Sequence, residues 1–310
     1  MVGKNAASTS RSATASPDHA SPHFLEIDLD ALLTRCTFAP AGTAVECAYS
    51  GGPDSTALLI LARRAELAVR AHHVDHGLHP RSAEDAEQSV RLAADVGVAC
   101  TVTRVDVAPG ANLEARARAA RAAVLPDDAL TGHTADDQAE TVLLALLRGA
   151  GSRGVGAMRP STTKPLLALR RHETHAVCAA YGLDPIVDPT NDNPRFRRNR
   201  VRHEVVPLLN AVAERDMVDL LARTANNARD DDDLLDELAT AIDATDAAAV
   251  AAAPPPLARR AIRQWLRGDG YPPDAASVER VLQVAAGVHR ACEVDGRRIV
   301  RRGGRLMLVS

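Results

Sequence analysis

The fold is decided by the stretch VECAYSGGPDST, residues 45–56. Its first half is apolar and rich in β-forming residues, which predicts a buried strand over Ala44–Tyr49. Two glycines follow, and a segment with helical periodicity then covers residues 56–64. A strand that runs through a glycine turn directly into a helix leaves free backbone N–H groups at the helix N-terminus, where they favour phosphate. The stretch therefore predicts an α/β fold with an anion site between strand and helix.

Strands and helices continue to alternate beyond this stretch. The further predicted strands cover residues 68–74, 99–105 and 129–131, and the predicted helices cover residues 82–96, 113–124 and 135–148. Such alternation is typical of a parallel sheet with helices on both faces. The sequence thus predicts a nucleotide-binding domain of the α/β class.

After Pro207 the amino-acid composition changes, and the sequence predicts helices rich in alanine and leucine. A β-hairpin is predicted around Gly303-Gly304. We therefore expect a disordered tail over residues 1–22, a catalytic domain over 23–207, and a smaller, mainly helical domain over 208–310. The acidic run at residues 230–233 falls inside the last part. We interpret it as a solvated helix face or a helix start rather than a metal site.

The amino-acid composition excludes several classes of protein. The chain has 310 residues, a hydrophobic share of 46% and a formal net charge of −3, which suits a packed core and argues against indiscriminate nucleic-acid binding. No apolar run approaches the roughly 18 residues that span a bilayer, and no secretory signal opens the chain, so we expect a cytoplasmic protein without membrane contact. Five scattered cysteines without CxxC spacing predict neither disulfides nor a zinc or iron–sulfur site.

The glycine loop is Ser50-Gly51-Gly52-Pro53-Asp54-Ser55. Its glycines let the backbone approach an oxygen ligand closely, and its serines can add hydroxyl donors. It lacks the Gly-Lys-Ser/Thr ending of a Walker A motif, which makes transfer of a γ-phosphate the less expected chemistry. The order of residues resembles the pyrophosphate loop of the ATP-pyrophosphatase superfamily, whose members form an adenylate and release pyrophosphate. Because a bare carboxylate would repel phosphates, the resemblance implies that Asp54 faces ATP through Mg²⁺ as a metal ligand.

A second cluster, HVDHGL at residues 73–78, follows the second predicted strand. The carboxyl ends of parallel strands are where such sheets bind ligands. Two histidines and an aspartate before a glycine turn exceed what an ordinary strand end contains. We therefore expect His73, Asp75 and His76 to contribute to the ATP site, with a metal site the less favoured interpretation.

A third cluster, GHTADDQAET at residues 132–141, leads from a strand into a helix. Helical spacing places Asp136, Asp137 and Glu140 on one face near the N-terminus, where acidic residues also suit the helix dipole. Three carboxylates beside His133 are more negative charge than a helix N-terminus requires. They would suit a cationic co-substrate such as lysine. Because an amine with a pKa of about 10.4 must lose a proton before it attacks, the site also needs a base. We expect Asp137 and Glu140 to serve catalysis with His133.

With these clusters in place, the chain resembles the tRNA(Ile)-lysidine synthetases over residues 44–207. Further stretches similar to that family are LEARAR at residues 113–118, LRGAG at 147–151, GVGAM at 154–158, DPTN at 188–191 and RNRVR at 198–202. Departures are modest: His79 and Lys164 stand where the family often has arginine, and Thr190 where it often has serine. Longer members carry an additional C-terminal domain, so we expect some of their tRNA contacts to be absent or replaced here.

The resemblance implies a ligase that forms a carbon–nitrogen bond. ATP would adenylate C2 of the wobble cytidine in the CAU anticodon of tRNA(Ile), and the ε-amine of L-lysine would then displace AMP to give lysidine. The helical domain over 208–310 would contact tRNA, and basic residues near 297–305 would offer a further tRNA contact. A homodimer is compatible with the sequence. The residues expected to contact tRNA phosphates are Arg116, Arg148, Arg198, Asn199, Arg200 and Arg202.

Three other functions stay open at this point. A tRNA cytidine thiolase of the same superfamily would need paired cysteines, which the spacing does not provide. A GMP synthetase-like amidotransferase would need a glutaminase domain. A non-catalytic tRNA-binding or nucleotide-binding module would be expected to have lost the glycine loop or the acidic cluster, and both are complete.

Overall fold

The computed structural model describes residues 27–77, 81–107, 113–187, 193–267 and 273–309. The expected tail over residues 1–22 and the DPTN stretch at 188–191 lie outside the described residues. Helix α1 (Leu29–Arg35) begins after Asp28, whose carboxylate accepts hydrogen bonds from the backbone N–H groups of Asp30 and Ala31. Across the described ranges, no helix combines the length and the apolar character needed to cross a lipid bilayer.

A parallel three-stranded sheet forms the centre of the N-terminal part, in the order β1 (Ala44–Tyr49), β2 (Ala68–Asp75) and β3 (Ala99–Arg104). Helices α2 (Pro53–Arg64) and α3 (Ser82–Asp95) connect the strands. In the register, Tyr49 lies opposite His73. The glycine loop after β1 and the histidine cluster at the end of β2 therefore emerge side by side at one edge of the sheet. The predicted α/β class is confirmed.

The predicted strand at residues 129–131 is wrong as a strand. Only Leu130 pairs with β1, through an isolated parallel bridge to Cys47 in which Leu130 N–H donates to Glu46 O at 2.8 Å. The N–H of Ala129 donates instead to Pro126 O, and that of Thr131 donates to Thr163 O. Because the neighbouring backbone groups find partners elsewhere, pairing stops after one residue.

Helix α2 begins at Pro53, three residues earlier than its apolar periodicity predicts. Proline suits the first helical position, since its fixed φ is helical and no N–H is needed there. Residues 55–62 are all buried, and they pack with β1, α1 and the later helix α7 (Arg171–Ala180) in one core. The helix that carries the glycine loop is therefore held on all sides.

Several helices follow β3 in this part, and helix α5 (Ala135–Leu146), which carries the acidic cluster, packs against helix α10 (Val218–Thr240). Residues Ala139 and Val142 of α5 share a core with Leu221 and Ala225 of helix α10. Helix α10 is 23 residues long and is therefore about 34 Å in length. These elements are α4 (Leu113–Val124), α5 (Ala135–Leu146), α6 (Ser152–Val155), α8 (Arg197–Arg200), a π-helical turn (Val201–Val205), α9 (Val206–Ala213) and α10 (Val218–Thr240).

The C-terminal part has a core of its own, built from Ile262, Leu266, Val281, Ile299 and Leu306. The predicted hairpin is confirmed, since β5 and β6 pair antiparallel across Gly303-Gly304. The elements are α11 (Ala247–Ala252), α12 (Pro255–Arg267), α13 (Ala275–Ala285), β4 (Ala291–Val294), β5 (Arg297–Arg302) and β6 (Arg305–Val309).

The interpretation of residues 230–233 as a solvated helix face is wrong for Asp232. This side chain is 3% exposed and accepts hydrogen bonds from Ser152 Oγ at 3.0 Å, Arg260 Nη2 at 2.5 Å and Arg153 Nε at 3.2 Å. Asp233 pairs with Arg159. The acidic run therefore ties α10 to α12 and to the segment after α5, through partners 28 to 80 residues away along the chain.

Candidate active site

The glycine loop is closed on itself by its two serines. The hydroxyl groups of Ser50 and Ser55 lie 3.1 Å apart, and Ser55 Oγ donates to Gly52 O at 3.0 Å. Gly52 is the N-cap of α2, so the unpaired N–H groups of the first helical turn follow directly. Together with the positive end of the helix dipole, they make this loop suited to a phosphate ligand.

Two glycines in the site cannot carry a side chain without displacing their neighbours. Gly51 has φ +79°, and a Cβ there would lie 2.5 Å from both Ile186 Cδ1 and Ser89 Oγ. A Cβ on Gly132 would lie 2.6 Å from the backbone oxygen of Asp54. The third sequence cluster therefore starts in close backbone contact with the glycine loop.

A cavity of about 410 Å³ joins the three sequence clusters. This volume lies within the range that binding sites for small molecules usually have. Arg121 and Ile186 also line it and were not foreseen from the sequence. The predicted residues that line it are Ser50, Asp54, Ser55, His73, Asp75, His76 and His133.

The second cluster supplies one fixed carboxylate and two neutral imidazoles. Asp75 is 6% exposed and accepts hydrogen bonds from Gly77 N at 2.8 Å and from Arg104 Nη1 at 2.9 Å. Burial lowers the pKa of both His73 and His76 below the ordinary value of 6.5. The Nδ1 atoms of both histidines are buried and have no hydrogen-bond partner among the described residues.

The third cluster opens α5 through a capping box. Asp137 Oδ2 accepts from Thr134 N at 2.9 Å and from Thr134 Oγ1 at 3.1 Å, which fixes the start of the helix. Beside it, His133 Nδ1 lies 2.8 Å from Thr131 Oγ1, and burial lowers the pKa of the His133 imidazole. At neutral pH this imidazole is therefore uncharged.

Asp137 and Glu140 share three arginines. Glu140 is 2% exposed, and its carboxylate accepts from Arg198 Nε at 2.7 Å, Arg202 Nε at 2.7 Å and Arg171 Nη2 at 3.1 Å. The second oxygen of Asp137 lies 3.2 Å from Arg171 and 3.1 Å from Arg198. Burial alone would raise the pKa of Asp137, but Arg171 and Arg198 hold it below the ordinary value. We call these five side chains the carboxylate–arginine cluster.

Arg171 links the carboxylate–arginine cluster to the glycine loop, and sequence reasoning missed it. Its Nε lies 3.6 Å from Asp54 Oδ2, and Thr174 one turn later donates a hydrogen bond to Asp54 Oδ1. Burial raises the pKa of Asp54, while the Thr174 hydrogen bond and Arg171 oppose the rise. A signal was present in the sequence, since Arg170 and Arg171 open a helix where the dipole disfavours cations.

The structure brings Asp136 into a different group from Asp137 and Glu140. Its carboxylate accepts from the backbone N–H of Arg171 at 2.7 Å and from Arg170 Nε at 3.2 Å. Arg170 also pairs with Asp216 at 2.7 Å, just before α10. Asp136 and Arg170 together therefore link α5, α7 and the start of α10.

The residues expected at tRNA phosphates are divided between the interior and the surface. Arg198 and Arg202 belong to the carboxylate–arginine cluster, and the Asn199 side chain is buried and donates to Asn193 O at 3.0 Å. Arg148 is exposed, and Arg200 is exposed and pairs with Glu204. Arg116 is half-buried on α4.

Two family models match the chain. Residues 25–209 match the PP-loop domain ATP_bind_3, and residues 246–307 match the TilS substrate binding domain. The chain is 47% identical over 238 residues to a protein named tRNA(Ile)-lysidine synthase from Mycolicibacterium paratuberculosis, covering 72% of this chain and 74% of the relative. A relative of the same name from Thermobifida fusca is 40% identical over 268 residues, covering 78% and 82%.

Among solved structures, the chain is similar to the U34-tRNA thiolase NcsA from Methanococcus maripaludis with its [4Fe-4S] cluster. The TM-score is 0.51 at 16% sequence identity, covering 64% of this chain and 77% of that chain. At so low an identity, the likeness concerns the fold alone.

Proposed function

Because the chain belongs to the tRNA(Ile)-lysidine synthase family, we propose that it adenylates C2 of the wobble cytidine in the CAU anticodon of tRNA(Ile) and then joins lysine to that carbon. Such an enzyme is a ligase that forms a carbon–nitrogen bond. The observation that carries the proposal is the position of Arg171, which lies between Asp54 of the glycine loop and the two carboxylates of α5. A site for nucleotide activation and a site for an amine therefore meet at one side chain.

The first step is assigned to the glycine loop. The N–H groups at the start of α2 would hold the β- and γ-phosphates that leave as pyrophosphate, assisted by the hydroxyl groups of Ser50 and Ser55. The imidazoles of His73, which is buried, and of His76, which is half-buried, line the same cavity and would face the rest of the nucleotide. The absence of a side chain at Gly51 and Gly132 would let the backbone come close to the phosphates.

Asp54 is the residue that would hold Mg²⁺. Among the described residues, no group of three or more histidine, cysteine, aspartate or glutamate side chains is arranged to hold a metal ion. Mg²⁺ commonly binds through one or two carboxylates together with substrate phosphates and water, and one carboxylate beside a phosphate loop fits that pattern. When bound with ATP, Mg²⁺ would neutralise phosphate charge. Thr174 and Arg171 favour the ionised form of Asp54 that such a ligand needs.

The second step is assigned to the carboxylate–arginine cluster and His133. Three guanidinium groups beside two carboxylates present charges of both signs, which suits an amino acid that carries an ammonium group and a carboxylate. Because its pKa is held low, Asp137 is a weak base and would bind the ammonium group rather than deprotonate it. His133, whose imidazole is uncharged at neutral pH, is the better proton acceptor for the attacking amine.

Phosphate contacts to tRNA are assigned to the exposed arginines. Arg148 and Arg200 lie on the surface near the acidic helix, whereas Arg198 and Arg202 are engaged with Glu140 and would order the site from within. On the C-terminal sheet, Arg298 and Arg302 are exposed and form no ion pair with the described residues. They extend the basic surface that a tRNA could follow.

The thiolase alternative finds no support in the cysteines. Burial raises the pKa of Cys36, Cys47 and Cys178 to about 12, so their thiols stay protonated and unreactive at neutral pH. The five cysteines, all of which are described, contribute to no metal-holding group. An amine is therefore the better-supported nucleophile.

The test is transfer of radiolabelled lysine. The purified chain is incubated with ATP, Mg²⁺, labelled lysine and tRNA(Ile) bearing a CAU anticodon, with tRNA(Met) as the control substrate. Label that stays on tRNA(Ile) after mild alkaline deacylation, and is absent from tRNA(Met), supports the proposal. No label, together with pyrophosphate release, would point to a different adenylating reaction.

A further inference from the structure

The carboxylates assigned to the lysine ammonium group are filled by the protein's own arginines. Glu140 is 2% exposed, and each of its two carboxylate oxygens accepts two hydrogen bonds. Its Oε1 atom accepts from Arg202 Nε at 2.7 Å and from Arg171 Nη2 at 3.1 Å. Its Oε2 atom accepts from Arg198 Nε at 2.7 Å and from Arg202 Nη2 at 3.3 Å. Because an ionised carboxylate has about four lone-pair positions, Glu140 has none left for a substrate.

Asp137 is occupied in the same way. Its Oδ2 atom accepts from the backbone N–H and the hydroxyl group of Thr134 in the capping box, at 2.9 Å and 3.1 Å. Its Oδ1 atom accepts from Arg171 Nη2 at 3.2 Å and from Arg198 Nη2 at 3.1 Å. Both carboxylates of the site are therefore saturated with donors.

The cavity at the glycine loop stops short of these carboxylates. Its lining includes Asp54 and His133 but neither Asp137 nor Glu140. An ammonium group has three N–H donors, and it must find acceptor oxygens when it leaves water, because an unpaired buried charge is costly. Lysine therefore reaches Asp137 and Glu140 only after one guanidinium group of the carboxylate–arginine cluster has withdrawn.

Arg171 is the most loosely held of the three guanidinium groups. Arg198 and Arg202 each donate to Glu140 through Nε at 2.7 Å and make a further contact through Nη2. Arg171 reaches both carboxylates through one nitrogen, Nη2, at 3.1 Å and 3.2 Å. Charge-assisted N–H···O bonds are usually about 2.7 to 2.9 Å long, so the two contacts of Arg171 are the weaker ones. Its withdrawal therefore costs the least.

Arg171 also has an anionic neighbour on the other side. Its Nε lies 3.6 Å from Asp54 Oδ2 at the glycine loop, and of the three described arginines of the cluster it alone pairs with Asp54. Its backbone N–H donates to Asp136 at 2.7 Å, which fixes the backbone and leaves the side chain free to turn. ATP on the loop would add negative charge beside Asp54, and arginine binds phosphate through paired N–H donors. The phosphates would therefore draw the guanidinium group toward the loop.

We propose that Arg171 is a positioning residue that keeps the lysine site closed until ATP occupies the glycine loop, so that lysine binds after ATP. This inference rests on the proposed function, because it takes Asp137 and Glu140 as the carboxylates that bind lysine. Since coupling between two binding sites is reciprocal, lysine must also tighten the binding of ATP. Lysine is then admitted only when the nucleotide that activates the cytidine is in place.

The test measures binding separately from chemistry. Calorimetry gives the dissociation constant of lysine for the full chain, without tRNA, in the presence and in the absence of a saturating ATP analogue with Mg²⁺. The analogue has a methylene group between its α- and β-phosphates, so no pyrophosphate can leave. The wild type is expected to bind lysine roughly tenfold more tightly with the analogue. In Arg171→Gln, which removes the charge, this ratio is expected to fall to about one.

Three further variants separate the link to Asp54 from a merely loosened cluster. Arg202→Gln also removes a guanidinium group from Glu140, but the described contacts of Arg202 do not include Asp54, so the analogue should still tighten lysine binding roughly tenfold. Arg171→Lys keeps the charge and should recover part of the ratio. The matched control is Arg197→Gln, an exposed arginine on the same helix as Arg198, which should behave as the wild type does.

The wild-type ratio is a test even where Arg171→Gln does not fold. Equal lysine affinity with and without the analogue in the wild type would overturn the inference. The same holds if Arg171→Gln keeps the wild-type ratio, or if Arg202→Gln loses it equally. A chain that binds no lysine under either condition would overturn both the inference and the assigned lysine site. The expected ratios in a chain that transfers no lysine to tRNA(Ile) would support the role of Arg171 and refute the proposed reaction.

Discussion

Replacing Glu140 by glutamine tests the carboxylate–arginine cluster most directly. Glu140 is 2% exposed, and three guanidinium groups donate to its two oxygens. Glutamine keeps the shape of the side chain but removes the charge. It also turns one oxygen into an NH₂ group, which would then face an arginine N–H as donor against donor.

The expected cost follows from this geometry. Removing one partner from a buried ion pair costs about 3 to 5 kcal/mol, because the remaining charges stay buried and unpaired. Asp137 stays in contact with Arg171 and Arg198, so we take the lower end, about 3 kcal/mol. For a domain of 150–250 residues, each kcal/mol lowers the midpoint of thermal unfolding by roughly 2 to 4 °C. We therefore expect a fall of roughly 6 to 12 °C for the N-terminal transition.

Circular dichroism on heating measures the midpoint, and two assays at 25 °C measure function. Pyrophosphate release with bound tRNA is expected to persist in Glu140→Gln, while lysine transfer is expected to fall at least tenfold. The matched control is Glu204→Gln, which removes a glutamate of an exposed pair with Arg200 on the neighbouring segment. An exposed pair contributes little, so this control should leave the midpoint and both reactions unchanged.

The reasoning is refuted if Glu140→Gln unfolds at the wild-type temperature and transfers lysine at the wild-type rate. Equal loss of pyrophosphate release and of lysine transfer would contradict the division of the two steps. It would mean that Glu140 also supports the glycine loop, through Arg171.

Three further outcomes are expected. Asp54→Asn should abolish pyrophosphate release without lowering the midpoint of thermal unfolding. Burial already disfavours the charged carboxylate, as the raised pKa of Asp54 indicates, so its removal should not destabilise the fold. A destabilised variant would contradict this. Gly51→Ala should weaken ATP binding, as measured by calorimetry, and should destabilise the chain by about 1 to 3 kcal/mol. The reason is that φ is +79° and that the new Cβ would contact Ile186 and Ser89. A variant that binds ATP with wild-type affinity would refute the steric argument. Since burial lowers the pKa of His73 and His133, the unfolded chain binds their protons first as pH falls below about 6.5, and stability in urea should decline from pH 7.5 to 5.5. The variant His73→Gln should show a smaller decline, and an identical decline would count against the histidine.

Local sequence patterns were sufficient to predict much of the fold. The bounds of β1 and α4 follow directly from apolar periodicity, and the glycine turn between β1 and α2 predicts the phosphate loop. The residues gathered around the cavity were predictable for a similar reason. Side chains at the carboxyl ends of neighbouring parallel strands meet at one edge, so Ser50, His73 and His133 converge without knowledge of distant contacts.

Long-range pairing was not predictable from the sequence. Arg171 lies 31 residues from Glu140 and 34 from Asp137, and no local rule joins them. In the sequence, Asp232 is part of an acidic run that indicates a solvated surface. Only the fold places Arg260 of α12 beside it. Strand pairing at Leu130 ends after one residue because its neighbours bond to Pro126 and Thr163, and that competition is decided by tertiary structure.

Helix α10 sets the distance between the N-terminal and the C-terminal part of the molecule. Asp216, just before its first turn, pairs with Arg170 beside the acidic helix, while Asp232 and Asp236 near its far end pair with Arg260 of α12. Each added residue would turn the far end by about 100° and move it by about 1.5 Å. An insertion of two residues would point both aspartates away from their partners, so the position of α12 relative to the acidic helix is set by the number of residues in one helix.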